Sequence, residues 1–373
     1  MTPLVVDAHQ DLAYNILSFD RDYTRSVAET RRLELGQPVA EQTEETLLGW
    51  PEYQAGQVAV IFGTLFAAPR RPRSSTWETQ VYASPQQANY VYRSQVDAYY
   101  RLADRCPDQF RLLFKRKDLA EVLAHWGKPL PPVEDPEDRR PIGHPVGIMI
   151  AMEGAEGILS TNELEEWWER GLRSIGLAWA GNRYTGGTNE PGPLTRAGRD
   201  LLDAMGEIGF LLDISHMDGT AALQAIEQYP GSIIASHSNA AALLKGADTN
   251  RHLSDDVIRL LLERGGRIGI NFANFFLKVG WRKADGKREV GLDTVIAQID
   301  YVCQMAGDAR HVGLGSDFDG GLGYPSVPAE IDTIADLQKI GPLLAARGYS
   351  TSDVAAIMGQ NWLDVIEKIL PGG

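Results

Sequence analysis

Leu4-Val5-Val6-Asp7-Ala8-His9-Gln10-Asp11 opens the chain with an apolar run that ends in two groups able to bind a metal. On a strand, residues i and i+2 share a face, so His9 and Asp11 can reach one ion together. A buried strand that delivers such side chains at its end decides the fold, because the pattern recurs. Eight candidate strands can be read: Leu4–His9, Val58–Phe66, Val146–Met152, Arg173–Trp179, Gly209–Ile214, Ser232–Ser236, Arg267–Phe272 and His311–Ser316. Several are near-continuous apolar runs, such as Val58-Ala59-Val60-Ile61-Phe62, which is how parallel strands covered on both faces read.

Helical patterns fill the intervals. Residues 86–105, 162–170, 196–208, 219–228, 292–306 and 332–346 carry an apolar stripe, and a last helix over 351–369 closes the fold. Ser254-Asp255-Asp256-Val257 starts another helix with a polar cap, and Gly265-Gly266 ends it. Strand–helix alternation gives the α/β class, and eight repeats favour a (β/α)8 TIM-type barrel over an open doubly wound sheet. Two stretches break the rhythm. Residues 18–56 are charged and polar with few apolar anchors, so a long excursion is expected after the first strand. Residues 127–145 hold six prolines, from Pro129 to Pro145, and read as a surface loop. The rhythm resumes after each, so the expectation is a single domain over 1–373 with loop insertions.

Composition narrows the chemistry. The 373 residues are 43% hydrophobic and 23% charged, with no apolar run of membrane-spanning length. Fifty acidic against 36 basic residues give a net charge of −14, the wrong sign for a nucleic-acid surface. The opening residues show no basic segment, apolar core or cleavage site of a leader, so the cytoplasm is the expected location. With only Cys106 and Cys303 there is neither a disulfide framework nor a cysteine metal knuckle. A transition-metal site must then come from His, Asp and Glu.

Such residues stand where the candidate strands end. His9 and Asp11 end the first, Glu153 the third, His216 follows Asp213-Ile214-Ser215, His237 follows Ser236, and Asp317 follows Gly315-Ser316. In a barrel these ends converge on one face, where active sites sit. His9 and Asp11 can hold one ion, Glu153 can bridge two through its separate oxygens, and His216 with His237 can close on the second. Imidazole and carboxylate donors suit Zn²⁺, with Mn²⁺, Co²⁺ or Fe²⁺ accepted by the same chemistry. Two such ions hold a hydroxide at neutral pH and polarise a carbonyl, and Asp317 is left to carry the proton. Taken singly, each histidine reads as a hydrogen-bonded core residue; the set does not. His125, His144, His252 and His311 are read as structural or solvated.

Six segments together resemble the membrane (renal) dipeptidase family of the amidohydrolase superfamily. They are Asp7-Ala8-His9-Gln10-Asp11-Leu12, Ala151-Met152-Glu153-Gly154, Asp213-Ile214-Ser215-His216, Ser236-His237-Ser238-Asn239-Ala240, Gly315-Ser316-Asp317-Phe318-Asp319-Gly320 and Gly359-Gln360-Asn361-Trp362-Leu363. They run in family order over nearly the whole chain. The resemblance implies metal-dependent dipeptide hydrolysis: His9, Asp11 and Glu153 on one zinc, Glu153, His216 and His237 on the other, and Asp317 as acid–base. It also implies that Arg251 grips the substrate's terminal carboxylate, which a guanidinium can do bidentately; alone, Arg251 reads as a solvated residue before a helix. One departure stands out. Trp179 occupies the place of a family histidine implied to contact substrate and oxyanion. Its indole can donate one hydrogen bond or simply wall the pocket, with Asn182 or Arg183 as substitutes for the oxyanion.

The expected function is therefore dinuclear-metal hydrolysis of a dipeptide by a metal-bridging hydroxide. The alternatives are a related amidohydrolase acting on another amide, lactam, lactone or ester, a catalytically silent metal-binding barrel, and a barrel without metal. Neither a nucleic-acid partner nor a membrane segment is expected. Association into a homo-oligomer is open, since no self-complementary patch can be read.

Overall fold

The computed structural model of the chain describes residues 2–72, 74–129 and 142–372. Eight parallel strands close on themselves: β1 (Val5–Gln10), β2 (Val58–Phe66), β3 (Val146–Glu153), β4 (Leu172–Gly176), β5 (Leu211–Asp213), β6 (Ile233–Ala235), β7 (Arg267–Ile270) and β8 (Val312–Leu314). Each pairs with the next in chain order, and β8 pairs back on β1 through Leu314 and Asp7. Closure leaves the ring no exposed edge. A short strand, Phe110–Leu112, adds alongside the start of β3 outside the ring. All eight expected strands are present, and the fold is the expected (β/α)8 barrel.

The helices between strands have ordinary physical causes. Ser84 accepts a hydrogen bond from Gln87 N and Pro85 occupies the first turn, which together start the helix Pro85–Arg105. Its buried face carries Tyr92 and Tyr99, whose hydroxyls donate to Glu153 O and Thr64 O at 3.0 Å each. Two strand ends are thereby pinned from the outer layer. Thr195 caps Arg196–Ile208 through Gly198 N, and Gly209, at φ +97°, terminates it in the left-handed conformation glycine tolerates. Ser254 caps Asp255–Glu263 as read from the sequence.

Several boundaries differ from the reading. The strands expected at Arg173–Trp179, Gly209–Ile214 and Ser232–Ser236 are shorter, because their last residues leave the ladder to aim side chains at the mouth of the barrel. Asp213 shows how: its Oδ1 accepts from Ser215 N at 2.9 Å and Ser236 N at 3.0 Å, replacing ladder bonds beyond β5 and β6. The closing helix is interrupted by a wider π turn at Ala356–Gln360. Beyond the turn Trp362 packs edge-on against Phe62, and its indole donates to Leu314 O at 3.0 Å. A Cβ on Gly313 would stand 2.2 Å from Trp362 Nε1, so that glycine makes room for the indole. Of the proline-rich stretch expected as a surface loop, residues 130–141 lie outside the described residues. No helix among the described residues is long and apolar enough to cross a membrane. Cys106 and Cys303 are both free thiols.

The excursion over residues 18–56 is more firmly anchored than its polarity suggested. It forms helices Val27–Glu34, Val39–Thr43 and Trp50–Ala55, and buries Tyr23, Leu47, Leu48, Trp50 and Tyr53. Its tether is Asp319, which is wholly buried just after β8. Asp319 Oδ2 accepts from Arg21 Nη1 (3.2 Å), Tyr23 Oη (3.0 Å) and Thr46 Oγ1 (2.6 Å), and Oδ1 accepts from Leu47 N (2.8 Å). Arg21 in turn holds Glu34 with two hydrogen bonds. Removing one member of a buried charge pair strands the other without a partner, at a cost of about 3–5 kcal/mol. Asp319→Ala is therefore expected to lower the thermal unfolding midpoint by about 6–20 °C, taking about 2–4 °C per kcal/mol. Differential scanning calorimetry checks this, and an unchanged midpoint would remove Asp319 as the anchor.

Candidate metal centre

Five of the eight strand ends contribute to one cluster at the C-terminal mouth of the barrel. His9 lies within β1, Asp11 just past it, and Glu153 is the last residue of β3. His237 follows β6 by two residues, while His216 and Asp317 follow β5 and β8 by three. His216 (φ +66°) and Asp317 (φ +64°) adopt left-handed backbone that non-glycine residues enter at a cost, the kind of local strain that gathers at functional sites. A Cβ on Gly320 would come 2.1 Å from Asp317 Oδ1, so glycine there leaves this carboxylate its space.

Glu153 stands between two sets of donors. Its Oε1 faces His216 Nε2 at 2.8 Å and His237 Nε2 at 3.3 Å, while Oε2 faces His9 Nε2 at 3.8 Å. His9 Nε2 is 3.4 Å from Asp11 Oδ2 and 3.7 Å from Asp317 Oδ1. The ligand atoms of His9, Asp11 and Glu153 all lie within 4.8 Å of one another, as do those of Glu153, His216 and His237. A third grouping within the same span, His9, His237 and Asp317, overlaps both.

The donor set fits metal ions on its own chemistry. His216 Nε2 and His237 Nε2 are 2.9 Å apart. Burial drives both imidazoles well below the usual histidine range, with the positive charge of Arg251 and His9 adding to it. Their Nδ1 atoms meet hydroxyls, Thr188 Oγ1 at 2.9 Å and Ser236 Oγ at 2.8 Å. When these Nδ1 atoms carry the hydrogen, two neutral rings turn Nε2 lone pairs toward each other and toward a carboxylate, an arrangement that a cation relieves. On the other side, His9 Nε2 and Asp11 Oδ1 are buried without any hydrogen-bond partner. Two imidazoles with one carboxylate, or one imidazole with two, match the borderline ligand chemistry of Zn²⁺ and its neighbours.

Without ions the cluster must hold protons instead. Burial pushes Glu153 up to about 8, moderated by His9 and reinforced by Asp11 and Asp317. Asp317 is pushed up to about 6, chiefly by burial, with Asn271 donating to its Oδ2 at 2.8 Å as a partial counterweight. Burial alone would depress His9, but Glu153, Asp11 and Asp317 outweigh it and raise it to about 10.

The structure brings His9, Asp11, Glu153, His216, His237 and Asp317 together. The two other expected site residues stand differently. Trp179 lies on the wall of the adjoining cavity, edge-on to Phe66 at 5.1 Å between centroids and 6.4 Å from the His216 ring. Arg251 is only 2% exposed and sits behind the cluster. Its Nη2 donates to His237 O at 2.5 Å and its Nη1 to Ser238 Oγ at 3.0 Å, Phe276 covers it at 5.3 Å, and its Nε has no partner. Asn182 and Arg183 are occupied with the backbone oxygens of Leu177 and of Glu156 and Ile158.

Residues that sequence reasoning passed over complete the site. Asn271, directly after β7, orients Asp317 and is itself fixed by Asn239, whose Oδ1 accepts from Asn271 N at 3.1 Å. Asp7 accepts from Ser316 N at 2.7 Å, locking β1 to the turn that carries Asp317. Asn271 lies just past one strand and Asp7 inside another, and neither stands out locally in the sequence. The cavity in front of the cluster is about 400 Å³, within the usual range for a small-molecule site. Gln42 and Thr43, from the excursion, and Phe275 with Phe276, after β7, complete its rim.

The sequence pattern of the membrane dipeptidase family (peptidase family M19) matches residues 2–370. A Klebsiella pneumoniae protein, the uncharacterized protein in the pqqA 5′ region, is 34% identical over 236 residues, which span 60% of this chain and 82% of that protein. Dipeptidase tcpJ of Claviceps purpurea is 30% identical over 287 residues, 74% of this chain but only 59% of its own length. A crystal structure of a metallopeptidase from Rhodobacter sphaeroides, liganded with a phosphinate mimic of the dipeptide L-Ala-D-Ala, superposes with a TM-score of 0.75. It is 21% identical and covers 99% of this chain and all of its own, a likeness of fold.

The proton balance of the cluster has a measurable consequence. Above pH 6.5 the unfolded chain has lost the proton of Glu153 and progressively loses that of His9, whereas the folded, metal-free chain begins to lose its Glu153 proton only toward about 8 and keeps that of His9. Fewer protons on the unfolded state means that stability falls as pH rises through this window. Chelated protein is thus expected to melt at lower temperature at pH 8 than at pH 6.5, and excess Zn²⁺ to remove the decline. A midpoint that rises over this window in chelated protein would contradict the assignment of those protons.

Proposed function

The chain belongs to the membrane dipeptidase family, and from that premise we propose that it hydrolyses the peptide bond of dipeptides, the whole chain acting as one barrel domain around two divalent metal ions. Their donors suit zinc, and Mn²⁺, Co²⁺ or Fe²⁺ by the same chemistry. The observation that carries this reading is Glu153, whose two oxygens face two separate donor pairs, His9 with Asp11 and His216 with His237. Ions held there would supply a hydroxide at neutral pH and polarise the scissile carbonyl.

The chain's own residues position and move the proton. Asn271 holds Asp317 Oδ2, leaving Oδ1 turned toward His9 Nε2 and the centre of the cluster. Asp317 accepts the proton of the attacking water and returns it to the leaving amine, the work of a positioned general acid–base. Thr188 and Ser236 keep His216 and His237 in one orientation, so that their Nε2 atoms stay on the cluster. Trp179 walls the cavity and keeps water from the reacting bond. Arg251 supplies the positive charge that attracts the substrate's terminal carboxylate, acting from beneath Phe276.

A second reading is an amidohydrolase for another amide, lactam, lactone or ester. It is favoured by one observation: among the described residues, no Lys or Arg lines the cavity, so a substrate without a free carboxylate also suits it. Metal-loaded protein tested on a wide dipeptide panel, including L,D pairs, beside lactones and N-acyl amino acids decides between them. Turnover of dipeptides that chelation abolishes is the expected result; faster turnover of lactones or N-acyl amino acids across the panel transfers the assignment.

Two variants sharpen the roles. Asp317→Asn should retain its bound metal by elemental analysis yet lose about 10²–10⁴-fold in kcat, the usual worth of a positioned acid–base; a near-wild-type rate would strip it of that role. Arg251→Ala should raise KM for free-carboxylate dipeptides more than for their amides. Equal effects on both would leave the arginine only its hold on the His237 carbonyl.

A further inference from the structure

An unbroken file of aromatic rings leads away from the cluster. Trp179 meets Phe66 at 5.1 Å, Phe66 meets Tyr14 at 5.8 Å, Tyr14 meets Phe19 at 6.3 Å, and Phe19 meets Trp77 at 5.7 Å. Trp179, Phe66, Tyr14 and Trp77 show their faces or edges to the cavity. Phe275, 41% exposed, and Phe276 form an apolar wall of the same cavity. Beside Trp77 stands Glu78, a carboxylate on the cavity lining that belongs to none of the metal-donor groups. Its Oε2 accepts from Ser75 N at 3.0 Å, and among the described residues no cation pairs with it. Tyr14 lines the same cavity and feels both acids: burial, and then the charges of Glu78 and Asp11, push its hydroxyl up to about 12.

An apolar slot with a carboxylate at one end and the reacting cluster at the other matches one kind of side chain. Aromatic faces attract a cation and pack against the methylene stem behind it, while the carboxylate receives the charged head. The substrate's own α-ammonium does not answer this description. It lies two bonds from the scissile carbonyl and so stays beside the cluster carboxylates. Glu78, separated from Asp11 by Tyr14, addresses a charge carried farther out. An acidic side chain would meet Glu78 with like charge, and a neutral one would leave it unpaired.

We propose that Glu78, at the end of the slot lined by Trp77, Tyr14, Phe66 and Trp179, selects dipeptides that carry a basic side chain, arginine or lysine. Arginine is the better occupant, because its planar guanidinium stacks on rings and is more weakly hydrated than an ammonium. The inference rests on the dipeptidase reading only for the bond that is cut; the recognition of the cation stands apart from it.

The test compares Arg-Ala, Lys-Ala, Ala-Arg and Ala-Lys with norleucine and glutamate counterparts, on wild type and on Glu78→Gln. With metal-loaded wild type, kcat/KM for the better basic series should exceed that for norleucine by about tenfold, and Glu78→Gln should bring this ratio toward one. Calorimetric binding of the same peptides to chelated protein reads the slot without turnover, and the same preference and the same loss are expected there. If no dipeptide is hydrolysed yet the basic peptides bind preferentially and lose that preference in Glu78→Gln, the slot stands and the dipeptidase reading falls. If dipeptides are hydrolysed but norleucine equals arginine and lysine in both rate and binding, or the ratio survives in Glu78→Gln, the slot falls and the dipeptidase reading stands.

Discussion

Asp11, Glu153 and Asp317 place three carboxylates around one imidazole, His9, and none of the four side chains is more than about a tenth exposed. Negative charge gathered out of water at this density costs far more than packing returns unless positive charge joins it. The alternatives are protons or metal ions. The upward displacement of Glu153 and Asp317 and the high value at His9 describe the proton solution. The two neutral imidazoles opposite, His216 and His237, take no part in that solution and are suited only to the other. One side thus stores protons and the other refuses them, and binding an ion would release the stored protons.

Holding these groups in place is work done by residues of no catalytic chemistry. A barrel supplies strand ends in a ring, but a strand end by itself leaves its last side chain free to turn. Here each is tied: Thr188 and Ser236 to imidazoles, Asn271 to Asp317, Asp7 to the turn after β8, and tyrosines of the outer helix to the carbonyls of Glu153 and Thr64. The left-handed backbone at His216 and Asp317 is held by the same surroundings. Two residues past Asp317, Asp319 extends the restraint outward to Arg21, Tyr23, Thr46 and Leu47. The excursion that places Gln42 and Thr43 on the cavity is thus fastened to the same turn that presents Asp317.

The barrel and its donors were legible because both leave periodic marks. Doubly covered parallel strands read as apolar runs, and a ligand at a strand end breaks such a run with a His, Asp or Glu; Ala151-Met152-Glu153 and Ile234-Ala235-Ser236-His237 are instances. What lay beyond reading has a common physical character. Asn271 and Thr188 contact their partners across 46 and 28 residues of chain, and no local pattern distinguishes them from loop residues. The excursion looked loosely anchored because its tether is ionic, and a buried Arg21–Asp319 pair has no hydropathy signature. Arg251 read as solvated for the same reason in reverse: its charge is buried by contacts to His237 O and Ser238 Oγ that only the closed barrel creates. Strand ends were overrun by one to three residues, and at Asp213 a side chain takes over the hydrogen bonds of the ladder.

The clustered carboxylates and imidazoles and the side chains that line the rest of the cavity come from different layers of the molecule. His9, Asp11, Glu153, His216, His237 and Asp317 sit on or just beyond barrel strands, where neighbouring ladders leave little freedom. Gln42, Thr43, Trp77 and Glu78 sit on the connections around β2, and Phe275 and Phe276 just beyond β7, where sequence can change without disturbing closure of the ring. Trp179 stands at the boundary between the two layers, three residues past β4, in contact with Phe66 on one side and close to His216 on the other. An indole there cannot take or release a proton, so it withdraws one polar function from the floor of the cavity and adds a hydrophobic face. With the arginine of the site buried behind Phe276, the cavity presents carboxylates at both ends and aromatic rings between them.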